Sequence, residues 1–292
     1  MTLFDIIVPT YNRYAQLSDF FKGNESLANY PTVHFWLVDD CSTNFNPSSV
    51  PDWKNLTLIR LERNHGQAFA RNVAIARGAA PYLISLDDDA WFEGGPSFLD
   101  DIVSAFTEYS DTGCFMFNVA TPAAGYSNLP RGAEIPISIA CGCSWRRSAV
   151  ADIGGFNGFL HSGAEETDNT LKLLGSGWKT RQLNSVRVFH NFVHQKRTVQ
   201  WYFNVRHNTT RNDLLIVIMY YPLPYVPVFV AGKYLSHLLF AIKNRLKVPA
   251  TLWHTTTAFL DFLWMTPQAL RHRRPLTIKQ FKHWRSLFLL NK

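Results

Sequence analysis

Apolar and polar positions along the first ninety residues alternate between two rhythms. Leu3-Phe4-Asp5-Ile6-Ile7-Val8 is a short apolar run ended by Pro9, and Val33 to Val38 is a second, ended by two acids. Leu56 to Leu61 and Tyr82 to Leu86 repeat the pattern. Runs of this length bounded by turn residues read as strands. Between them, Tyr14 to Tyr30 and Gly66 to Gly78 carry helical spacing, the second with Phe69, Val73 and Ala76 on one side. Strand–helix–strand alternation predicts an α/β fold, a parallel sheet with helices on both faces. Ligands bind such sheets at the carboxyl ends of the strands. Polar clusters stand at all four ends here: Pro9-Thr10-Tyr11-Asn12-Arg13, Asp39-Asp40, Glu62-Arg63-Asn64 and Asp87-Asp88-Asp89. One crevice is expected to collect them.

Later in the chain the pattern turns helical. Gly154-Gly155-Phe156-Asn157 is a glycine-rich turn leading into Glu165-Glu166-Thr167-Asp168, and Leu171, Leu173 and Leu174 give an amphipathic helix over Asn169 to Gly175. Leu214 to Gly232 holds no charge and is long enough to raise the question of a membrane span, but Pro222, Pro224 and Pro227 fall within it. Prolines so close together are expected to break the helix, and a bilayer cannot satisfy the freed backbone groups, so interfacial contact is expected rather than a full span. Ile278, Phe281, Trp284 and Phe288 then recur at helical spacing beside a row of Lys279, Lys282 and Arg285. A basic helix with an aromatic face suits the boundary between water and anionic lipid. The plainer alternative is an apolar stripe packed on the body of the protein.

Composition narrows the class. The 292 residues are 47% apolar and 17% charged, which supports a sizeable core and excludes a disordered or collagen-like chain. Four cysteines are too few and scattered for a disulfide framework, and Cys141 and Cys143 have no second pair to complete a zinc site. A reducing compartment is expected, and Met1 to Pro9 does not read as an export signal. Charge is unevenly spread. From Lys233 to Lys292 eleven Lys and Arg face a single acid, Asp261, while the preceding residues are net acidic. That asymmetry points to a polyanionic partner, and with no nucleic-acid recognition module in view an anionic membrane surface is the expectation.

The acid clusters carry the candidate chemistry. Adjacent carboxylates at Asp87-Asp88-Asp89 repel one another, so a fold that keeps them needs a cation or water around them. Hard oxygen ligands of this kind suit Mg²⁺ or Mn²⁺, commonly shared with substrate phosphates. A solvated acidic turn is the alternative. Asp39-Asp40 can accept from a nucleobase N–H or a ribose hydroxyl, or can cap their own turn with Ser42 and Asn44. Helix capping accounts for Asp168 and part of Glu165, but not for three acids in four residues.

In order and spacing these pieces resemble the family 2 glycosyltransferases, inverting enzymes of GT-A fold that use nucleotide-sugar donors. The resemblance is carried by Ile7-Val8-Pro9-Thr10-Tyr11-Asn12-Arg13, Val38-Asp39-Asp40-Cys41-Ser42-Thr43, Asn64-His65-Gly66 with Ala70-Arg71-Asn72, and Leu86-Asp87-Asp88-Asp89. It continues through Arg146-Arg147-Ser148, Gly154-Gly155-Phe156-Asn157, Glu165-Glu166-Thr167-Asp168 and Gly177-Trp178. It implies a Rossmann-like, mostly parallel sheet over residues 1–215 and leaves 216–292 as a helical, basic-aromatic, membrane-associating extension. It implies further that Pro9, Thr10 and Asn12 line the base and ribose pocket, that Asp40, and Asp39 beside it, bond the base, and that Arg13, Gly66, Arg71 and Asp88 belong to the donor site. Asp87 and Asp89 match the outer acids of the family's D-x-D, with Asp89 on the metal and Asp87 on ribose or metal. His190 resembles a histidine that completes the metal site in some members. Glu166, with Glu165 as the alternative, matches the catalytic base. The implied reaction transfers a sugar from a UDP or dTDP donor to a glycan or lipid-linked acceptor with Mn²⁺ or Mg²⁺, at the inner face of the cell membrane. A nucleotidyltransferase is the first rival, though no glycine-rich, lysine-bearing phosphate loop is present; a non-catalytic binding protein of the same fold is the second.

Overall fold

The computed structural model describes residues 1–160, 163–192, 198–243 and 248–290. Eight strands form one sheet: β1 (Phe4–Thr10), β2 (Val33–Asp39), β3 (Leu56–Arg60), β4 (Tyr82–Ser85), β5 (Ala90–Phe92), β6 (Thr112–Ala120), β7 (Cys143–Arg146) and β8 (Lys179–His190), in the order β3-β2-β1-β4-β7-β6-β8-β5. The four expected strands are parallel neighbours in one half. The other half is mixed, and the sheet as a whole is mostly parallel as expected, with four parallel pairings against three antiparallel. There β7 runs antiparallel to β4 and β6, β6 runs parallel to β8, and β5 runs antiparallel to β8. A tight turn, with Ala90 N–H donating to the Asp87 carbonyl, carries the chain from β4 into β5. The acid triplet therefore sits on a turn inside the sheet, opposite the end of β8.

Both faces are covered. Phe4, Ile6 and Val8 of β1 pack with helices α1 (Leu17–Gly23) and α3 (Phe98–Glu108), whereas Ile7 packs with α2 (Gln67–Arg77) and α4 (Arg147–Ile153) on the opposite face. Two local expectations change. The segment from Tyr14 to Tyr30 is helical only over α1 and a short 3-10 turn at Glu25–Leu27, because the Asn24 side chain leaves the helix to bond the Ala90 carbonyl and the Phe92 N–H. In α2 the buried face is Ala70, Arg71 and Ala74, while Phe69 is exposed and stacks on His65. Alanines let the helix approach the strands closely, and a phenylalanine would hold it off.

The rest of the chain is helical: α5 (Glu165–Gly175), α6 (Val199–Tyr220), α7 (Val226–Lys243), α8 (Val248–Arg271) and α9 (Ile278–Leu290). The expected division at 215/216 falls inside α6, whose last two turns share a core with Leu171 of α5, Phe262 of α8 and Phe281 and Trp284 of α9. The aromatic stripe expected to meet lipid is thus occupied at its centre. Phe281 and Trp284 are buried, and the Trp284 indole N–H donates to the Pro136 carbonyl at 2.8 Å; only Ile278 and Phe288 at its ends are exposed. A buried indole needs an acceptor, and the body of the protein supplies it. The proline expectation also changes. Pro222 caps and Pro224 lies within a short 3-10 turn, Leu223–Tyr225, that joins α6 to α7, and Pro227 is the second residue of α7, where no intrahelical N–H is required. Consequently Leu223–Lys243 is long and apolar enough to cross a membrane by length and composition. Of the eleven basic residues in the tail, Arg245, Lys247 and Lys292 lie outside the described residues.

One buried carboxylate ties the sheet to the face covered by α2 and α4. Asp5 accepts from the Trp36 indole at 2.9 Å, from the Ala80 N–H at 2.8 Å and from the Arg147 guanidinium at 2.5 Å. Arg147 also donates to the Ile75 and Ala80 carbonyls, which gives the Arg146-Arg147 pair a structural role. Removing one partner of a buried ion pair leaves the other uncompensated. Asp5→Ala is therefore expected to lower the free energy of unfolding by about 3 kcal/mol, read from the urea midpoint.

Candidate active site

Tight strand-end turns bring the predicted polar residues to one side of the sheet. Two adjoining clefts open there. One, of about 330 Å³, is lined by Pro9, Thr10, Arg13, the Asp87–Asp89 triplet, His190, Phe192 and Trp201; the other, of about 270 Å³, is lined by Asn64, His65, Gly66, Leu160 and Glu165. Tyr11, Asp40 and Gln67 line both. Among the residues named in advance, Pro9, Thr10, Arg13, Asp40, Gly66, Asp87, Asp88, Asp89, His190 and Glu165 share this wall.

Each carboxylate of the triplet meets a different partner. Asp87 accepts from Nη2 of Arg71 at 2.6 Å, and Arg71, fully buried, also donates through Nε to the Ser85 hydroxyl. Asp88 accepts from the Thr10 hydroxyl at 2.6 Å and lies 3.1 Å from Nε of Arg13. Asp89 takes the other arm of Arg13 and stands 3.1 Å from Nε2 of His190. Burial pushes the Asp88 carboxyl up to about 7, with Arg13 and Thr10 opposing. Burial acts the same way on Asp89, but the His190 hydrogen bond and the Arg13 charge outweigh it and hold this carboxyl below its usual range. For His190 burial favours the neutral ring, yet the Asp89 hydrogen bond and the charges of Asp87 and Asp89 raise its pKa overall.

This set can hold a cation. Donor atoms of Asp87, Cys141 and His190 all lie within 4.8 Å of one another, and the outer His190–Asp89 pair adds a further carboxylate. Cys141 is buried, and desolvation together with the Asp87 charge keeps its thiol protonated, so it is a poor ligand. The remaining carboxylate and imidazole donors fit Mn²⁺ or Mg²⁺ better than a thiolate-seeking metal.

Asp40 shows how the β2 end serves the clefts. Its two oxygens accept from the N–H groups of His65 and Gly66, at 2.8 and 2.7 Å, at the start of α2. Gly66 has φ +88°, a conformation that favours glycine. Each carboxylate oxygen retains a further lone pair. Asp39 behaves differently. It is wholly buried, bonded to the Ser42 hydroxyl and N–H and lying 3.6 Å from Arg60, so it caps its turn and is not part of the cleft wall. Asn12 likewise ties two loops together: its N–H donates to Ser42, and its side-chain carbonyl accepts from Thr43.

The acidic helix start is fixed from behind. Gly155, at φ +73°, lies against Asn72, where an added Cβ would come within 2.7 Å of Oδ1. Asn72 in turn both donates to and accepts from the Phe156 backbone. Asp168 is fully buried and is met by Lys172 at 2.8 Å and by the Tyr220 hydroxyl at 2.5 Å. These contacts hold the first turn of α5, which starts at Glu165 and not at Asn169. Glu165 accepts from the Gln67 amide at 2.7 Å and has its second oxygen buried without a hydrogen-bond partner among the described residues. Glu166 accepts from the Ala140 N–H at 3.3 Å, and burial beside Glu165 pushes it up to about 7.

Sequence reasoning missed Tyr11, Gln67, Phe192 and Trp201. Tyr11 and Gln67 adjoin residues already singled out. Phe192 and Trp201 carry no local signal, because they reach the cleft from the segment after β8 and from the start of α6.

The model of the family described as glycosyl transferase family 2 matches residues 5–167, more than half of the chain. An uncharacterized glycosyltransferase of Haemophilus influenzae is 33% identical over 92 residues, 31% of this chain and 30% of that protein. The putative teichuronic acid biosynthesis glycosyltransferase TuaG of Bacillus subtilis is 31% identical over 94 residues, 30% of this chain and 37% of its own length. Each match thus spans about a third of the curated relative. Among solved structures, residues 1–349 of S. aureus TarS in complex with UDP-GlcNAc align with a TM-score of 0.59 at 17% identity, covering 100% of this chain and 89% of that one. The mannosyltransferase PcManGT from Pyrobaculum calidifontis, in complex with GDP-Man and Mn²⁺, aligns with a TM-score of 0.56 at 18% identity, covering 99% and 80%. The fold is that of these GT-A transferases. With the motifs in family order along β1, β2, α2, β4 and α5 and the family model matched across them, the chain belongs to glycosyl transferase family 2.

Proposed function

We propose that the protein is an inverting glycosyltransferase that moves a sugar from a nucleoside diphosphate, UDP or dTDP, to a hydroxyl of a glycan or lipid-linked glycan in surface polysaccharide synthesis. The observation that carries this reading is the meeting of Asp87, Asp89 and His190 beside Asp40 in one cleft wall, with Glu165 lining the adjoining cleft and Glu166 the next residue of α5. The naming of TuaG and the UDP-GlcNAc complex of TarS support the substrate class. The basic tail and the apolar α7 support placement at the cytoplasmic face of an anionic membrane.

In this reading Asp40 accepts from the base, while Pro9, Thr10 and Tyr11 line the nucleoside side of the cleft. Asp87, Asp89 and His190 would hold Mn²⁺ or Mg²⁺, which supplies positive charge for the departing diphosphate. Arg71 orients Asp87, and Arg13 bridges Asp88 and Asp89 and offsets their mutual repulsion. The acceptor oxygen attacks the anomeric carbon opposite the leaving group, the bond from carbon to the diphosphate oxygen breaks, and the acceptor proton passes to Glu166. A carboxylate held near 7 is matched to that task, since an ordinary one is a weaker base. Glu165, already bonded to Gln67, positions the helix start. Release of free nucleoside diphosphate, and not pyrophosphate, separates this reaction from a nucleotidyltransferase.

Asp89→Asn is expected to weaken Mn²⁺ affinity by about 100-fold or more and to abolish transfer, with the circular dichroism spectrum unchanged. An active Asn variant removes Asp89 from the metal site.

Glu166→Gln is expected to keep donor affinity and lower kcat by about 10²–10⁴-fold. The wild-type rate should climb with pH through about 7, because only the ionised carboxylate accepts a proton. Folding has the opposite sign. The folded state holds the Glu166 proton between the ordinary value of 4.5 and about 7, so its contribution to stability is present at low pH and lost as pH rises across that window. The Gln variant should therefore gain Tm relative to wild type at pH 8 and not at pH 4. If Glu165→Gln is the dead variant instead, the base moves one residue.

A further inference from the structure

The outward faces of α7 and α8 are largely apolar, interrupted by Ser236 on α7 and by Thr256, Asp261 and Gln268 on α8. On α7, Leu235, Leu239 and Ile242 recur at helical spacing on the exposed side; on α8, Leu260, Leu263 and Trp264 do the same, and Trp264 is 86% exposed. The two helices are tied to each other by the Tyr234–Phe259 ring pair. A shallow depression of about 360 Å³ lies along α7 itself, lined by Gly232, Leu235, Ser236, Leu239, Phe240 and Lys243. Soluble proteins seldom leave a contiguous apolar surface of this extent uncovered.

Three observations select lipid as the occupant. The stretch Leu223–Lys243 reaches a mean hydropathy of 1.4, in the range of membrane segments, and only 6% of that window is buried. Bases rim the face: Lys243 closes α7, Arg271 closes α8 and both are exposed, while the one acid of the tail, Asp261, is paired with His207. An exposed tryptophan among leucines is the composition of a headgroup-level contact. The opposite side of α7 argues against crossing. There Lys233 and His237 meet Asp213 of α6 at 3.5 and 3.1 Å, and Phe229 packs on Phe281 of α9. A spanning α7 would have to abandon these contacts and take a lysine and a histidine into hydrocarbon.

We propose that the outer face of the α7–α8 pair, and not the aromatic stripe of α9, docks on the interfacial region of an anionic bilayer, with both helices lying in its plane. This rests on the membrane partner of the proposed reaction, and donor turnover measured without lipid separates failure of the one from failure of the other.

The test is co-flotation of the full chain with vesicles of phosphatidylcholine and phosphatidylglycerol at about 3:1. Wild type should float, less so in about 1 M salt but still measurably. Leu239→Glu and Trp264→Glu should each lower partitioning about tenfold while leaving nucleotide-sugar hydrolysis unchanged. Trp264→Phe, which keeps the apolar surface, should still float but lose much of the tryptophan quenching by brominated lipid. Variants that float like wild type, or a wild type that does not float, overturn the proposal. A wild-type dimer that Trp264→Glu renders monomeric, with no flotation, assigns the face to a second copy and also overturns it. Protease protection of α7 inside sealed vesicles overturns the in-plane arrangement.

Discussion

Three consecutive carboxylates at the end of a strand can share one cleft only if their repulsion is met from other parts of the chain. At an effective dielectric of about 20, two unit charges about 4 Å apart repel by about 4 kcal/mol, comparable to a large fraction of a domain's stability. Here each acid is answered from a different element. Arg71 comes up from α2 beneath Asp87, Arg13 reaches across from the loop after β1 to Asp88 and Asp89, and His190 arrives from the end of β8. Asp88 relieves part of the remaining repulsion by drawing on the Thr10 hydroxyl and by its raised pKa. The strand order, the close approach of α2 and the turn from β4 into β5 are all conditions for these meetings.

The same logic governs the second acidic group. Glu165 and Glu166 begin α5, where backbone N–H groups favour negative charge, yet a helix start fixes neither position nor direction by itself. Asn72 supplies the position by gripping the Phe156 backbone beside Gly155. Since Arg71 and Asn72 are adjacent on α2, one helix references both acid clusters to the sheet. A shift of α2 would move Asp87 and the start of α5 together, which keeps their separation constant.

The strands of the parallel half were legible because each is a short apolar run ended by the polar residues that the fold then uses. Local alternation says nothing about partners distant in sequence, so the mixed half of the sheet was not. The acids at Asp40, Asp87–Asp89 and Glu165 were singled out by type and by the family resemblance, and the structure brings them to the two adjoining clefts. The use of Asp39 could not be read in that way, because a buried turn cap and a ligand-binding carboxylate look alike until Ser42 and Arg60 are placed. Helical spacing misled in α2 and α9 for a shared reason. It finds an apolar stripe but does not say what covers it: Phe69, read on the apolar side of α2, is exposed, and Phe281 and Trp284, expected at lipid, lie inward.

α6 shows why the helical extension belongs with the site. Its 22 residues span about 33 Å. Near its start Trp201, whose N–H is capped by Thr198, lines the cleft with the metal-type residues. Near its end Tyr220 holds Asp168 at the base of α5. Along its length it carries α8, and Asp213 anchors α7 through Lys233 and His237. One helix thus touches the cleft, the first turn of α5 and the apolar outer layer. A surface that seats α7 and α8 would fix the orientation of both acid clusters relative to itself without any new contact in the cleft.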